Sequence, residues 1–296
     1  MAITAAQVKE LRERTGAGMM DCKKALAECD GDITKAIDWL REKGIAKAAK
    51  KESRIAAEGL SRVVVAGNRA CVVEVNTETD FVTKNDMFLA LLDTTAKTLL
   101  ASDAKTVEEA NELVVDGKTL KDLFVEAVAT IGEKITLRRF EVLEKTDADV
   151  FGAYMHNGGA ISVALILKNS SDETVAKQMA MQIASMAPTY VSRNDMPSDV
   201  VEHEREVQIN IANNDESFTS KPEKIQQGII EGRVSKALQD MCLVDQIFFL
   251  DQSIKCGQFL KQHNTEVQTF VRYLVGEGLE KREENFAEEV AKQIAQ

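Results

Sequence analysis

The sequence predicts a protein of the α+β class, and three observations support this fold class. Three short helical patterns fill the first 54 residues. A strand–turn–strand–helix–strand order then occurs twice, between about residues 63 and 275, which indicates two related α+β halves. Two more helical patterns interrupt the second half. The chain has 296 residues, of which 44% are hydrophobic, and this length is enough for two modest cores.

Composition and charge argue against several classes of protein. With a net charge of −11 and a pI of about 5.0, the chain is not expected to bind nucleic acid directly. We expect a cytoplasmic protein without a membrane partner, because the sequence has neither a long apolar run nor a secretory leader. Five scattered cysteines without a CxxC pair argue against a disulfide framework and against a zinc site.

Three helices are predicted within residues 1–54, which we treat as one module. Thr4 and Gln7 fit a capping box at the start of the first helix. A Gly-x-Gly turn that begins at Gly16 separates the first helix from the second. The third helix is expected to end at Gly44, since glycine commonly follows the last helical residue. This spacing and the Gly-x-Gly turn resemble the three-helix module of ubiquitin-associated (UBA) domains.

The first α+β half begins with a predicted β-hairpin. Apolar runs on either side of Gly67-Asn68 fit two strands joined by a tight turn. Helical patterns follow to about Leu100 and over about residues 107–131. Residues 135–142 then alternate between apolar and polar side chains, which predicts a strand.

The second half repeats this order. Its predicted elements are strands at residues 151–155 and 160–167, a helix at about 172–186 and a strand at 268–275. The sequence identity between the two halves is too slight to establish a duplication.

The interruption of the second half is predicted to be a helical hairpin. Pro197 opens one helix, residues 213–222 form a turn-rich loop, and a second helix returns. Such an arm fits either a contact with another molecule or packing within the protein.

Signatures of enzymes are absent from the sequence. It contains no GxxxxGK[ST] phosphate loop, no HExxH zinc motif and no GxSxG nucleophile elbow. We therefore expect a protein that is not an enzyme and that has no cofactor and no metal site.

One polar segment, residues 76–85, lies between a predicted strand and a predicted helix. Phe81 and Val82 are its only apolar side chains. Phe81 either covers the core at the start of the helix or points outward as a wedge, with Asp80 beside it to bond a partner. Exposed aromatic side chains on a rigid loop are typical anchors in protein interfaces.

Met19-Met20 and His156 are two further candidates. Adjacent helical residues point about 100° apart, so Met19 and Met20 cannot easily both be buried in a small core. At least one of them is expected at the surface, where a flexible thioether suits a partner's helix; a loosely packed core methionine is the alternative. His156 lies at a predicted hairpin tip and is either a solvated residue or a contact residue.

Several stretches of the sequence resemble the elongation factor Ts family, in the family's order, from about residue 3 to residue 290. They are residues 11–26 (LRERTGAGMMDCKKAL), 74–76 (EVN) with 79–82 (TDFV), 132–135 (GEKI) with 138–139 (RR), and 271–273 (VRY) with 275–278 (VGEG).

The resemblance implies a fold with a UBA-like head, a two-part α+β core, an antiparallel helical arm inserted in the second part, and a C-terminal helix. The expected domains are residues 1–54 for the head, 55–143 for the first half, 144–191 and 236–275 for the second half, 192–235 for the arm, and 276–296 for the C-terminal module.

The resemblance also implies a function, that of a guanine-nucleotide exchange factor for elongation factor Tu. The segment Thr79-Asp80-Phe81-Val82 would enter the G domain of GDP-bound elongation factor Tu, near the Mg²⁺ that bridges protein and nucleotide. Displacement of that ion would release GDP.

Other contacts are implied outside this segment. Arg12, Met19 and Met20 would contact the same G domain, and His156 would contact another domain of elongation factor Tu. The arm would provide a further contact or form a homodimer. Two alternative classes are a UBA-type adaptor that acts through the head and an enzyme that uses a cysteine or a histidine.

Overall fold

The computed structural model describes residues 3–280 of the chain. Most of the C-terminal module expected at residues 276–296, with its helix, lies outside the described residues. Both helices and sheets are present, as expected for the α+β class.

Three helices form the head: α1 (Ala5–Thr15), α2 (Met19–Glu28) and α3 (Ile33–Lys51). The predicted capping box is confirmed, because the Thr4 side chain accepts the Gln7 N–H at 3.3 Å and the Gln7 side chain accepts the Thr4 N–H at 3.0 Å. The helices share a small buried cluster made of Val8, Leu11, Cys22, Ala25, Leu26 and Ala36.

The first half is a three-stranded antiparallel sheet covered by helices. Its elements are β1 (Glu58–Ala66), β2 (Arg69–Thr77), α4 (Asp86–Leu100), α5 (Val107–Asn111), β3 (Val114–Val115), β4 (Lys118–Thr119), α6 (Leu120–Ile131) and β5 (Ile135–Glu144). The strand order is β1-β2-β5. The two-residue turn at Gly67-Asn68 is confirmed, since Ala66 pairs with Arg69 across it.

The prediction of one helical stretch over residues 107–131 is wrong. The small β3–β4 hairpin divides α5 from α6, and its turn is formed by Asp116 and Gly117. Both turn residues have positive φ, at 50° and 81°, and Asp-Gly is a favoured dipeptide for such a turn. The helical periodicity of the flanking residues had masked this signal.

The predicted end of the third helix at Gly44 is also wrong, because α3 continues to Lys51. Gly44 is buried, and a Cβ added there would lie 3.3 Å from the Ala129 side chain of α6. The glycine therefore permits close packing of α3 on α6 instead of ending the helix.

The second half has the same strand arrangement as the first. Its elements are β6 (Val150–His156), β7 (Ile161–Lys168) and α7 (Glu173–Met186), and later β8 (Ile247–Phe248), β9 (Asp251–Lys255), α11 (Cys256–Gln262) and β10 (Glu266–Leu274). The sheet order is β10-β7-β6. In each half the second strand of the hairpin, β2 or β7, is the central strand of the sheet. The last strand of the half, β5 or β10, pairs with the edge of that strand that the hairpin leaves free. The short β8–β9 hairpin was not predicted.

Between α7 and β8 lies the arm, with α8 (Ser198–Asn213), α9 (Glu216–Thr219) and α10 (Glu223–Met241). Helices α8 and α10 pack side by side, and Arg205 pairs with Glu231 between them. Helix α10 continues six residues beyond residue 235, where the arm was expected to end.

The two sheets pack face to face through a small apolar layer. Ala70 and Val72 from β2 and Ala164 and Ile166 from β7 are buried there. No helix within residues 3–280 is long and apolar enough to cross a membrane.

Candidate partner-binding face

The segment that contains Phe81 is a short 3₁₀ helix, Asp80–Lys84, between β2 and α4. Phe81 is 81% exposed, whereas the next residue, Val82, is 6% exposed and belongs to the first core. Of the two predicted orientations of the Phe81 side chain, the structure therefore has the one that points outward. Val82 is the residue that covers the core.

Glu133 fixes the start of this segment. One carboxylate oxygen accepts hydrogen bonds from the Thr79 N–H at 2.9 Å and the Thr77 hydroxyl at 3.1 Å. The other accepts the Thr79 hydroxyl at 2.7 Å. Glu133 is not among the site residues predicted from the sequence, although it lies in one of the stretches that carry the resemblance.

The turn after α6, which contains Glu133, also contacts the end of the head. Lys134 donates its N–H to the Glu78 side chain at 2.5 Å, and its ammonium donates to the carbonyls of Glu52 at 2.6 Å and Arg54 at 3.0 Å. The Lys51 ammonium donates to the carbonyl of Gly132. Residues 132–134, hereafter the joint, therefore bond both to the Phe81 segment and to the chain that leaves α3.

Met19 and Met20 are both exposed, at 59% and 75% of their surface. They begin α2 directly after the Gly-x-Gly turn, in which Gly16 ends α1 with φ at 66°. A Cβ added to Gly16 would lie 3.5 Å from the methyl group of Met87, which is 39% exposed at the start of α4. Met87, six residues after Phe81 in the chain, thus lies against the head turn, a contact that local rules of the sequence do not reveal.

Arg12 and His156 are both exposed. Arg12 is an exposed residue of α1. His156 is exposed at the end of β6, where its Nδ1 and the Tyr154 hydroxyl are 3.1 Å apart. Because β6 belongs to the second half, the structure puts His156 on a different half from Phe81.

An ion pair joins the head to the first half. Arg41 of α3 donates to Asp122 of α6 at 2.9 Å. This hydrogen bond, together with bonds from Thr119, lowers the pKa of the Asp122 carboxyl.

Asp122→Asn is expected to destabilise the protein by up to about 1 kcal/mol at pH 7, as for other partly exposed pairs. Because the folded pKa is depressed, the contribution of Asp122 is present above its unfolded pKa, near 3.9, and is lost as the pH falls through the folded value. Urea unfolding at pH 7 and at about pH 3 should show the difference from the unsubstituted chain shrinking at low pH.

The matched control is Glu231→Gln, which removes an exposed pair with Arg205 between the two arm helices. An Asp122→Asn effect that is the same at both pH values would contradict the role of this pair.

Buried Glu74 joins the two halves. Its carboxylate accepts hydrogen bonds from Arg138 at 2.8 Å and Arg139 at 2.6 Å. It also accepts the Gly276 N–H at 2.8 Å, although Gly276 follows the last strand of the second half. The Arg-Arg pair and the VGEG stretch, which the sequence offered only as a resemblance, therefore meet at one buried carboxylate.

Two buried cysteines are poor candidates for a reactive centre. Burial raises the pKa of Cys71 and of Cys256 to about 12, so these thiols are protonated at neutral pH. Within residues 3–280, no group of three or more His, Cys, Asp or Glu side chains is arranged to hold a metal ion.

The chain is similar to a known protein family. Residues 78–277 match the family described as Elongation factor TS, which is 200 of the 296 residues. The matched part includes Phe81, Glu133 and His156 and begins after the head. The predicted resemblance is confirmed, and the chain belongs to the elongation factor Ts family.

Proposed function

We propose that this protein is a guanine-nucleotide exchange factor for elongation factor Tu and acts in the cytoplasm. It binds the GDP-bound form, displaces Mg²⁺, promotes GDP release and leaves when GTP binds. The observation that carries the proposal is Phe81, an 81% exposed aromatic side chain on a firmly held segment inside the matched family region.

The segment is suited to enter a nucleotide site. Phe81 projects from a short 3₁₀ helix that is anchored by Thr79 on one side and by buried Val82 on the other. Asp80, which is exposed next to it, adds a negative charge. Mg²⁺ and backbone amides neutralise the GDP phosphates, so a wedge that moves the ion weakens the hold on the nucleotide.

Phe81 alone cannot supply the free energy that exchange requires. Raising GDP release by three to five decades takes about 4–7 kcal/mol of preference for the opened state. Burial of one phenylalanine side chain contributes roughly 1.5–3 kcal/mol. Contacts elsewhere must provide the rest, and we assign them to Arg12, Met19 and Met20 on the head and to His156 on the second half.

The exposed methionines support this assignment of the head. Met19, Met20 and Met87 offer flexible apolar side chains on the side of the head that meets α4. Thioethers adapt to the surface of a partner's helix. In this proposal the head and the Phe81 segment bind the same G domain.

The domain division given above, with a UBA-like head and an inserted arm, is part of the same proposal. The arm exposes Ile209, Ile211 and Ile225 by 38–53% of their surface. These side chains suit either a further contact with elongation factor Tu or a second copy of this chain. The protein itself needs no cofactor, and nucleic acid is not a direct partner.

Linkage makes the exchange reciprocal. If the protein weakens nucleotide binding, bound nucleotide must weaken binding of the protein by the same factor. The protein is therefore expected to bind nucleotide-free elongation factor Tu most tightly and to dissociate when GTP binds.

The proposal is tested by the release of a fluorescent GDP analogue from elongation factor Tu. Release is followed by stopped flow, with excess unlabelled GDP, at increasing concentrations of this protein. A rate that rises and then saturates is expected. A rate that does not depend on the protein would rule out exchange activity and would turn attention to an adaptor role of the head.

A further inference from the structure

Between the Phe81 segment and the end of α3, a polar cluster of the described residues surrounds the joint, residues 132–134. None of the partner contacts assigned above uses the side chains of residues 132–134. We propose that Glu133 is a positioning residue, which holds Phe81 in the orientation that enters the partner, and that the joint links this orientation to the head. This inference rests on the proposed exchange function.

Both oxygens of the Glu133 carboxylate are used by the segment. They accept the Thr79 N–H, the Thr79 hydroxyl and the Thr77 hydroxyl at 2.7–3.1 Å. Hydrogen bonds to an ionised acceptor are stronger than those between neutral groups. Thr79 is the residue that caps the 3₁₀ helix, with φ −130° and ψ 157°, so its position sets where the helix begins.

Phe81 has little support of its own, because it is 81% exposed. Its direction depends on the residues that hold the chain on either side of it. On the C-terminal side Val82 is buried in the first core, and on the N-terminal side Thr79 is held by Glu133. Loss of the second anchor would free Thr79 from both of its side-chain contacts at the start of the 3₁₀ helix. Small misplacements of a group that takes part in a reaction have large effects on rates.

The joint extends this support to the head. Lys134 and Lys51 connect it to the end of α3 and the chain that follows. Glu78, directly before Thr79, pairs with Arg54 at 3.2 Å. A shift of the head would therefore be transmitted to the segment through the same three residues, so that head binding and Phe81 insertion occur together.

The first test concerns the protein without a partner. Glu133→Gln keeps the shape of the side chain but removes its charge and one of its two acceptor oxygens, so the Thr79 N–H and the Thr79 hydroxyl no longer both donate to an ionised group. Hydrogen exchange of the Thr79 amide should become at least about tenfold faster, as for loss of a hydrogen bond to a charged acceptor. Unchanged protection would overturn the positioning role without reference to any exchange activity.

The second test is a double-mutant cycle on GDP release. Glu133→Gln is expected to slow the saturated release rate about tenfold. In a Phe81→Ala background, the same substitution should change the rate little, because Glu133 acts through Phe81. Thr79→Val, which removes the hydroxyl bonded to Glu133, should show the same dependence on Phe81. Glu141→Gln, at an exposed position of β5, is the matched control and should leave the rate unchanged.

The outcomes separate this inference from the proposed function. If the unsubstituted protein accelerates release but Glu133→Gln does so equally, the positioning role is wrong and the exchange function stands. Equal losses with and without Phe81 would also contradict it, since they would mean that Glu133 acts independently of Phe81. If even the unsubstituted protein has no effect on release, the exchange function fails and this inference falls with it.

Discussion

Phe81→Ala is expected to slow catalysed GDP release by one to two decades while leaving the fold intact. The lost side chain is worth roughly 1.5–3 kcal/mol when buried in a partner, and each 1.4 kcal/mol is about tenfold. The fold should persist because Phe81 is 81% exposed and contributes little to the core. Stopped-flow release at a saturating concentration of the protein measures the effect, and thermal unfolding checks the fold.

Val114→Ala provides a matched control, because Val114 is also a strongly exposed apolar side chain of the first half, at 66%. With Val114→Ala, GDP should leave elongation factor Tu as fast as with the unsubstituted protein. If Phe81→Ala and Val114→Ala give the same rate, the wedge role of Phe81 is wrong. Some exchange activity should remain in Phe81→Ala, since the head and the second half still bind.

Glu74→Gln is expected to have the largest effect on stability. The buried carboxylate accepts hydrogen bonds from Arg138, Arg139, Asn76 and Gly276. Removing its charge leaves two guanidinium groups without their buried counter-charge, which typically costs about 3–5 kcal/mol. For a protein of this size that corresponds to a fall in Tm of about 6–20 °C. Denaturant unfolding, followed by two probes to check for a two-state transition, measures the free energy directly.

Glu144→Gln separates this effect from the general loss of a surface charge. Glu144 lies on β5, the strand next to that of Glu74. It pairs with Arg69 at 3.2 Å, but its side chain is 63% exposed. It should change the free energy of unfolding by less than about 1 kcal/mol. Similar values for Glu74→Gln and Glu144→Gln would contradict the role assigned to the buried network.

Elements with a clear periodicity could be predicted from the sequence. The capping box at Thr4, the turn at Gly67-Asn68 and the strand pairs of both halves follow local rules of hydrogen bonding and alternation. Of the two errors, the missed turn at Asp116-Gly117 reflects a local signal masked by helical periodicity, whereas the other arose where a tertiary contact overrides a local signal. Gly44 is a plausible helix end by sequence, but α3 continues through it because its missing side chain allows contact with α6.

The candidate site was predicted in part. Composition alone could not decide whether Phe81 faces the core or the solvent, because an apolar residue beside a helix suits both. The resemblance favoured the outward orientation, and the structure has it. Glu133 could not be found by local rules, since it lies 54 residues from Thr79 in the chain. Only the fold brings the turn after α6 to the end of β2.

The most direct test of Mg²⁺ displacement by Phe81 measures the rate of GDP release with the unsubstituted protein and with Phe81→Ala, at two Mg²⁺ concentrations. In excess chelator the Mg²⁺ ion is already absent, so Phe81 can no longer act by displacing it. The two proteins should then release GDP at nearly equal rates, whereas they should differ by one to two decades at millimolar Mg²⁺. The same ratio of rates at both concentrations would contradict displacement of Mg²⁺ as the function of this segment.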